Sequence, residues 1–107
     1  MAQKIARVNV RWLLPEQGGR RQPFVGSSYA PTARFSGDDE LFSVVVEFPS
    51  ATQVNPTAGK LNLLFPERLS KAQTRLVPGS RLELTEGPTT VAYCDVVAVE
   101  NEPAEPA

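Results

Sequence analysis

Alternation of apolar and polar residues with a period of two recurs along this chain and sets its fold class. Between positions 4 and 14, Ala6, Val8, Val10, Trp12 and Leu14 fall on one side while Arg7, Asn9 and Arg11 fall on the other, as in a strand with one buried face. Phe42, Val44, Val46 and Phe48 alternate with Ser43 and Glu47 until Pro49, which has no N–H to give a ladder, closes the run. Residues 60–65, 81–85 and 91–99 read as further strands, with Val77-Pro-Gly-Ser80 and Glu86-Gly-Pro-Thr-Thr90 as turns. Strands with one apolar face bury it best by closing on one another, which also removes the edges that invite aggregation. The pattern predicts an all-β protein, an antiparallel barrel of six strands.

The 107 residues, with ten prolines and seven glycines, suit one domain of many short strands and turns. That domain is expected over residues 1–99, followed by a disordered acidic Pro/Ala tail over 100–107, which has nothing to bury. Residues 50–59 collect turn formers without an apolar period and read as a mobile loop. Pro66, Glu67 and the later basic residues carry helix-start and helix-end signals, so 66–75 allows a short helical turn. No repeat of fixed period is present, which argues against a solenoid or propeller. No cleavable leader pattern and no apolar run of roughly 20 residues is found, so the expectation is a cytoplasmic protein without membrane contact.

Catalytic chemistry finds little to work with. The chain has no histidine and a single cysteine, Cys94, too few for a zinc shell. Cys94 sits in the apolar run 91–99 and is expected to pack as a small hydrophobe. Asp38, Asp39 and Glu40 are contiguous, and a strand or turn splays such neighbours apart instead of converging them on one atom. A non-enzyme without metal or cofactor is expected.

Charge is polarised along the chain. Residues 4–34 hold Lys4, Arg7, Arg11, Arg20, Arg21 and Arg34 against Glu16, a net of +5, while the remainder carries −6. Arg7 and Arg11 share a strand face and Arg20 and Arg21 lie in the adjoining loop, so these arginines with Arg34 form either a basic patch or solvated charges balanced by the cluster at 38–40. Gly18 and Gly19 either admit close backbone approach by a partner or serve a turn that needs positive φ. Tyr29 and Phe35 either stack on a ligand or pack; Trp12 falls on the buried face.

The segments Gln17-Gly-Gly-Arg20, Pro23-Phe24 and Gly26-Ser-Ser-Tyr-Ala-Pro31, and Thr85-Glu-Gly-Pro-Thr-Thr-Val91 before the last strand, together resemble in order and spacing the third domain of the elongation factor Tu family. The resemblance spans residues 4–99 and implies a Greek-key-like barrel. In that family the barrel binds the acceptor and T-stem region of aminoacyl-tRNA and packs on a GTPase domain and on exchange factor. Here Thr85 and Thr89 stand where the family has arginines, and threonine offers RNA phosphates no cationic group. No Gly-rich phosphate loop of the Walker type is present. The resemblance therefore implies a stand-alone, non-catalytic module docking to a protein partner, either translation-related or a toxin that recognises the elongation factor. Two alternatives are an RNA- or tRNA-binding protein using the basic N-terminal third, and a homo-oligomer assembling through an exposed strand near Val45 and Leu64.

Overall fold

A computed structural model describes residues 3–19, 25–49, 56–64 and 74–102. Seven strands follow one another: β1 (Gln3–Trp12), β2 (Ser28–Tyr29), β3 (Thr32–Phe35), β4 (Phe42–Glu47), β5 (Thr57–Leu63), β6 (Arg81–Glu86) and β7 (Thr89–Glu102), with one 3₁₀ turn at Pro15–Gln17. Every pairing is antiparallel, in the order β2-β4-β3-β6-β7-β1-β5, and a further β4–β5 ladder joins the ends. The result is a closed six-stranded barrel with one extra short strand.

That extra strand is an extension of β3. Ser28 and Tyr29 face Glu47 and Val46, and Thr32 and Ala33 continue the same register against Ser43 and Phe42. Between them the Val44 N–H donates to the Pro31 carbonyl at 3.1 Å. Pro31 has no N–H to return, so the ladder is interrupted where the chain stays in line. β3, β4 and β5 run as a meander, and β6 returns to lie beside β3, which is the Greek-key arrangement.

The inner faces follow the alternation. Ala6, Val8 and Val10 of β1, Val44 and Val46 of β4, Leu61 and Leu63 of β5, Leu82 and Leu84 of β6, and Cys94 and Val96 of β7 are all buried in one cluster. Aromatic side chains close both ends. At the end where β1 finishes, Trp12 packs on Tyr29 and Phe48, ring centroids 5.4 and 6.2 Å away. At the other end Phe35 meets Phe42 at 5.5 Å, and Leu76 is fully buried.

Several boundaries differ from the sequence reading. Thr57, Ala58 and Gly59 belong to β5, paired with Val10, Asn9 and Val8, and not to a loop reaching from 50 to 59; residues 50–55 lie outside the described residues. The inward stripe here is Thr57, Gly59, Leu61 and Leu63, so a threonine and a glycine stand where an apolar period would announce a strand. A Cβ on Gly59 would lie 3.0 Å from the Glu47 carbonyl oxygen and 3.2 Å from both the Phe48 ring and Val46. The missing side chain is what lets β4 and β5 close.

Residues 100–102, expected in a disordered tail, extend β7 against Ile5, Lys4 and Gln3; residues 103–107 are outside the described part. β1 ends at Trp12, which leaves Leu14 exposed instead of on the buried face, and Trp12 is only partly buried. Of the helical turn allowed over 66–75, Thr74 and Arg75 are helical and 66–73 are not among the described residues. Two bulges adjust β7, one at Val91 and one at Val97. The second turns Val97 outward, 58% exposed, while Val96 and Val99 keep facing the core.

Replacing Gly59 with valine is expected to lower stability by about 1–3 kcal/mol through overpacking against β4. Urea unfolding followed by tryptophan fluorescence measures it, and an unchanged midpoint would show that the approach is not tight.

Candidate functional site

The loop after β1 is built from local hydrogen bonds. The Leu13 N–H donates to the Val91 carbonyl at 2.9 Å and anchors the chain to β7. Pro15 starts the 3₁₀ turn, and the Gln17 side chain reaches back to accept the Leu14 N–H at 2.9 Å. Gly18 ends the turn with φ of 88°, the left-handed conformation that favours glycine. Gly19 serves a different need: its N–H donates to the Leu14 carbonyl, and a Cβ would fall 2.2 Å from the Leu13 carbonyl oxygen. The Gly18–Gly19 pair thus has a sufficient local reason, and it fixes the direction in which the chain leaves the barrel rim.

Two large apolar residues stand exposed on this end, Leu14 at 48% and Val25 at 74%. They bracket residues 20–24, so the candidates Arg20 and Arg21 lie outside the described residues. Tyr29 is buried beneath the rim between Trp12 and the barrel interior, and its hydroxyl donates to the Glu86 carboxylate. A phenol held in this way is a packing and rim-tying group, and the ring is not presented for stacking.

The remaining sequence candidates divide along the outer wall. Arg34 on β3 is matched in register with Glu83 on β6, which lies opposite Tyr93 on β7, itself opposite Arg11 on β1. Arg34 donates through Nε and Nη2 to one Glu83 oxygen at 3.1 and 2.9 Å, and Thr90 donates to the same oxygen at 3.1 Å. Thr32 and Thr85, their hydroxyls 2.6 Å apart, continue this polar strip. Thr85 is therefore a buried structural hydroxyl on the outer wall. Arg7 is paired through Nε with Glu100 at 3.1 Å. Arg7 and Arg11 are neighbours on one face; Arg34 is three strands away and bound to its own carboxylate.

Sequence reasoning missed Arg75 and Arg81. Arg75 bonds Asp38 at 2.6 Å and lies over the Phe35 ring at 4.3 Å, and Arg81 bonds Asp95 at 2.8 Å with its guanidinium 5.8 Å from the Tyr93 ring. No sequence signal marks these pairs, because Arg81–Asp95 arises from strand register and Arg75–Asp38 from the meeting of two connections at one end of the barrel. The Arg75 hydrogen bond, helped by the Glu40 N–H, holds the Asp38 carboxyl below its usual value. Burial, and secondarily the negative Asp95, pushes the Cys94 thiol up to about 12. A buried thiol of this kind is neither nucleophile nor ligand at neutral pH. Among the described residues no three His, Cys, Asp or Glu side chains converge on a metal position, and no helix is long and apolar enough to cross a membrane.

Comparison with protein-family models and with curated proteins finds no match for the chain.

A double-mutant cycle on Arg34 and Glu83, whose side chains are 32% and 19% exposed, is expected to give a coupling of about 1 kcal/mol or more, against about 0.5 kcal/mol or less for Arg81 and Asp95 at 55% and 43%. Equal couplings would mean that burial does not separate the pairs. Because the folded Asp38 carboxyl titrates below its unfolded value, its contribution to stability is present above that unfolded value and is lost as pH falls through the folded one. Arg75→Ala should raise the Asp38 titration midpoint, read from carboxyl chemical shifts.

Proposed function

We propose that this barrel is a non-catalytic binding module that docks to a protein partner through the rim at the end where β1 finishes. One observation carries the reading: Leu14 and Val25 are both exposed where the chain leaves and re-enters that end of the barrel, Leu14 two residues after Trp12 and just before the Gly18–Gly19 turn, Val25 two residues before Ser27, whose carbonyl accepts the Phe48 N–H. Exposed large apolar residues framed by polar ones are typical of the centre of an interaction patch. The turn holds Leu14 in place, so little ordering entropy is lost on docking.

The resemblance to the third domain of elongation factor Tu agrees with a docking role, since that barrel works by packing on other protein domains and on RNA. The partner class that follows is a component of translation, or a toxin directed at the elongation factor. RNA is the less favoured ligand. Arg34 is held by Glu83, Arg7 shares its guanidinium with Glu100, and Thr85 and Thr89 provide no cation, so among the described residues a phosphate backbone meets no continuous run of free cations along this wall.

Two measurements on the purified protein test the reading. Anisotropy titrations with total tRNA across a salt series should stay flat. Affinity capture from lysate should retain a partner that is lost with Leu14→Glu combined with Val25→Glu, both exposed positions that leave the core intact. Salt-sensitive tRNA binding weakened by Arg11→Glu would replace the proposal with the RNA reading. A concentration-dependent dimer mass abolished by the same rim variants would replace it with self-assembly.

A further inference from the structure

Away from the rim, the outer wall carries a concavity of about 550 Å³ where β4, β5, β1 and the Val97 bulge of β7 meet, within the size range of small-molecule sites. Its floor is a square of outward positions on two paired strands: Arg7 lies opposite Lys60 and Asn9 opposite Ala58. Ala58 and Gly59 keep the floor low. Phe48 and Pro49 form one apolar wall, and Val97, turned out by the bulge, forms another.

The charge arrangement in this floor is unfavourable as it stands. Like charges directly opposite across a ladder repel, and Arg7 and Lys60 are such a pair. Glu100 meets Arg7 at Nε, and among the described residues no partner is seen for the two terminal nitrogens of its guanidinium fork. Among the described residues Lys60 makes no ion pair, although Glu47 is next to it in register on the side away from Arg7. Among the same residues the Asn9 amide has no side-chain partner. Three sets of unused donors therefore surround one concavity, with apolar walls on either side.

We propose that this groove binds a small organic anion, a carboxylate or phosphate ester on a flat apolar body. The anionic group sits between the Arg7 fork and the Lys60 ammonium with Asn9 donating beside it, and the body lies against Phe48, Pro49 and Val97. Arginine suits this seat because its planar fork matches either headgroup with two parallel hydrogen bonds. Glu47 confines the anionic end to the Arg7 side of Lys60 and disfavours ligands charged at both ends. The site shares Phe48 with the aromatic cluster under the rim but includes neither Leu14 nor Val25, so variants of Arg7 and Lys60 test it without altering the docking residues.

The test uses 1-naphthyl phosphate, 1-naphthylacetate and the neutral 1-naphthalenemethanol, each titrated into ¹⁵N-labelled full-length protein. At least one anion should saturate, with amide shifts centred on Arg7, Asn9, Lys60 and Val97, and the stronger of the two identifies the headgroup. Arg7→Gln combined with Lys60→Gln, both at exposed positions, should weaken that anion at least about tenfold while circular dichroism stays unchanged. Arg81→Gln, on another part of the wall, should leave binding intact. Saturation by the neutral compound equal to that of the anions, binding indifferent to the double variant, or no saturable shift with either anion would each overturn the proposal.

Discussion

Everything else in this barrel depends on the position of β1 between β5 and β7. Without it the other five strands remain one open sheet, β5-β4-β3-β6-β7, with two unpaired edges. β1 satisfies both edges at once and seals the apolar interior. Its ladder with β7 runs from Gln3↔Glu102 to Trp12↔Ala92, joining the two ends of the described chain. Such a long-range contact is entropically expensive to form and returns stability only when the circle closes. The inward residues of β1 are valine and alanine with no exposure to water, and their burial offsets that cost.

Closure also decides what the outer wall can do. The ladders along β3, β6, β7 and β1 bring arginines from distant parts of the chain into line with carboxylates. Arg34 meets Glu83, Arg81 meets Asp95 and Arg7 meets Glu100. Part of the polarity visible along the sequence is thereby cancelled in space, at Arg7 and Arg34. Among the described residues the outer wall interleaves signs, and the cations without an ion pair, Arg11 and Lys60, lie on β1 and its neighbour β5. The rim at the other end of β1's inward stripe keeps its apolar residues uncovered. Two surfaces of different chemistry result, one apolar and framed by a rigid turn, the other a cationic groove.

Much of the architecture was legible because strand period and core burial are the same physical fact. Ala6, Val8, Val10, Val44, Val46, Leu82, Leu84 and Cys94 are buried where the alternation places them. The misreadings have specific causes. The start of β5 was hidden because Gly59 occupies an inward position that only a side-chain-free residue can take, given its approach to Glu47 and Phe48. The end of β7 was hidden because Glu100, Asn101 and Glu102 carry no apolar signal; they are in a strand because β1 supplies a pairing edge. Leu14 was assigned to the core by periodicity, but the period stops when Pro15 turns the chain. In the candidate surface, the reason for Gly18 was readable as a turn requirement, whereas that of Gly19 lay in the Leu13 backbone folding back over it.

By itself the sequence determined that this chain makes strands, which side of each is apolar, and that a single closed β domain is the economical way to bury them, because those properties follow from a period of two and the behaviour of individual residues in water. Tertiary structure alone decided which strands are neighbours, and with that which charges cancel. The Arg34–Glu83 pair, the crowding of Arg7 against Lys60 and the outward turn of Val97 exist only through register, since cross-strand partners are separated by tens of residues and their meeting depends on how the barrel closes.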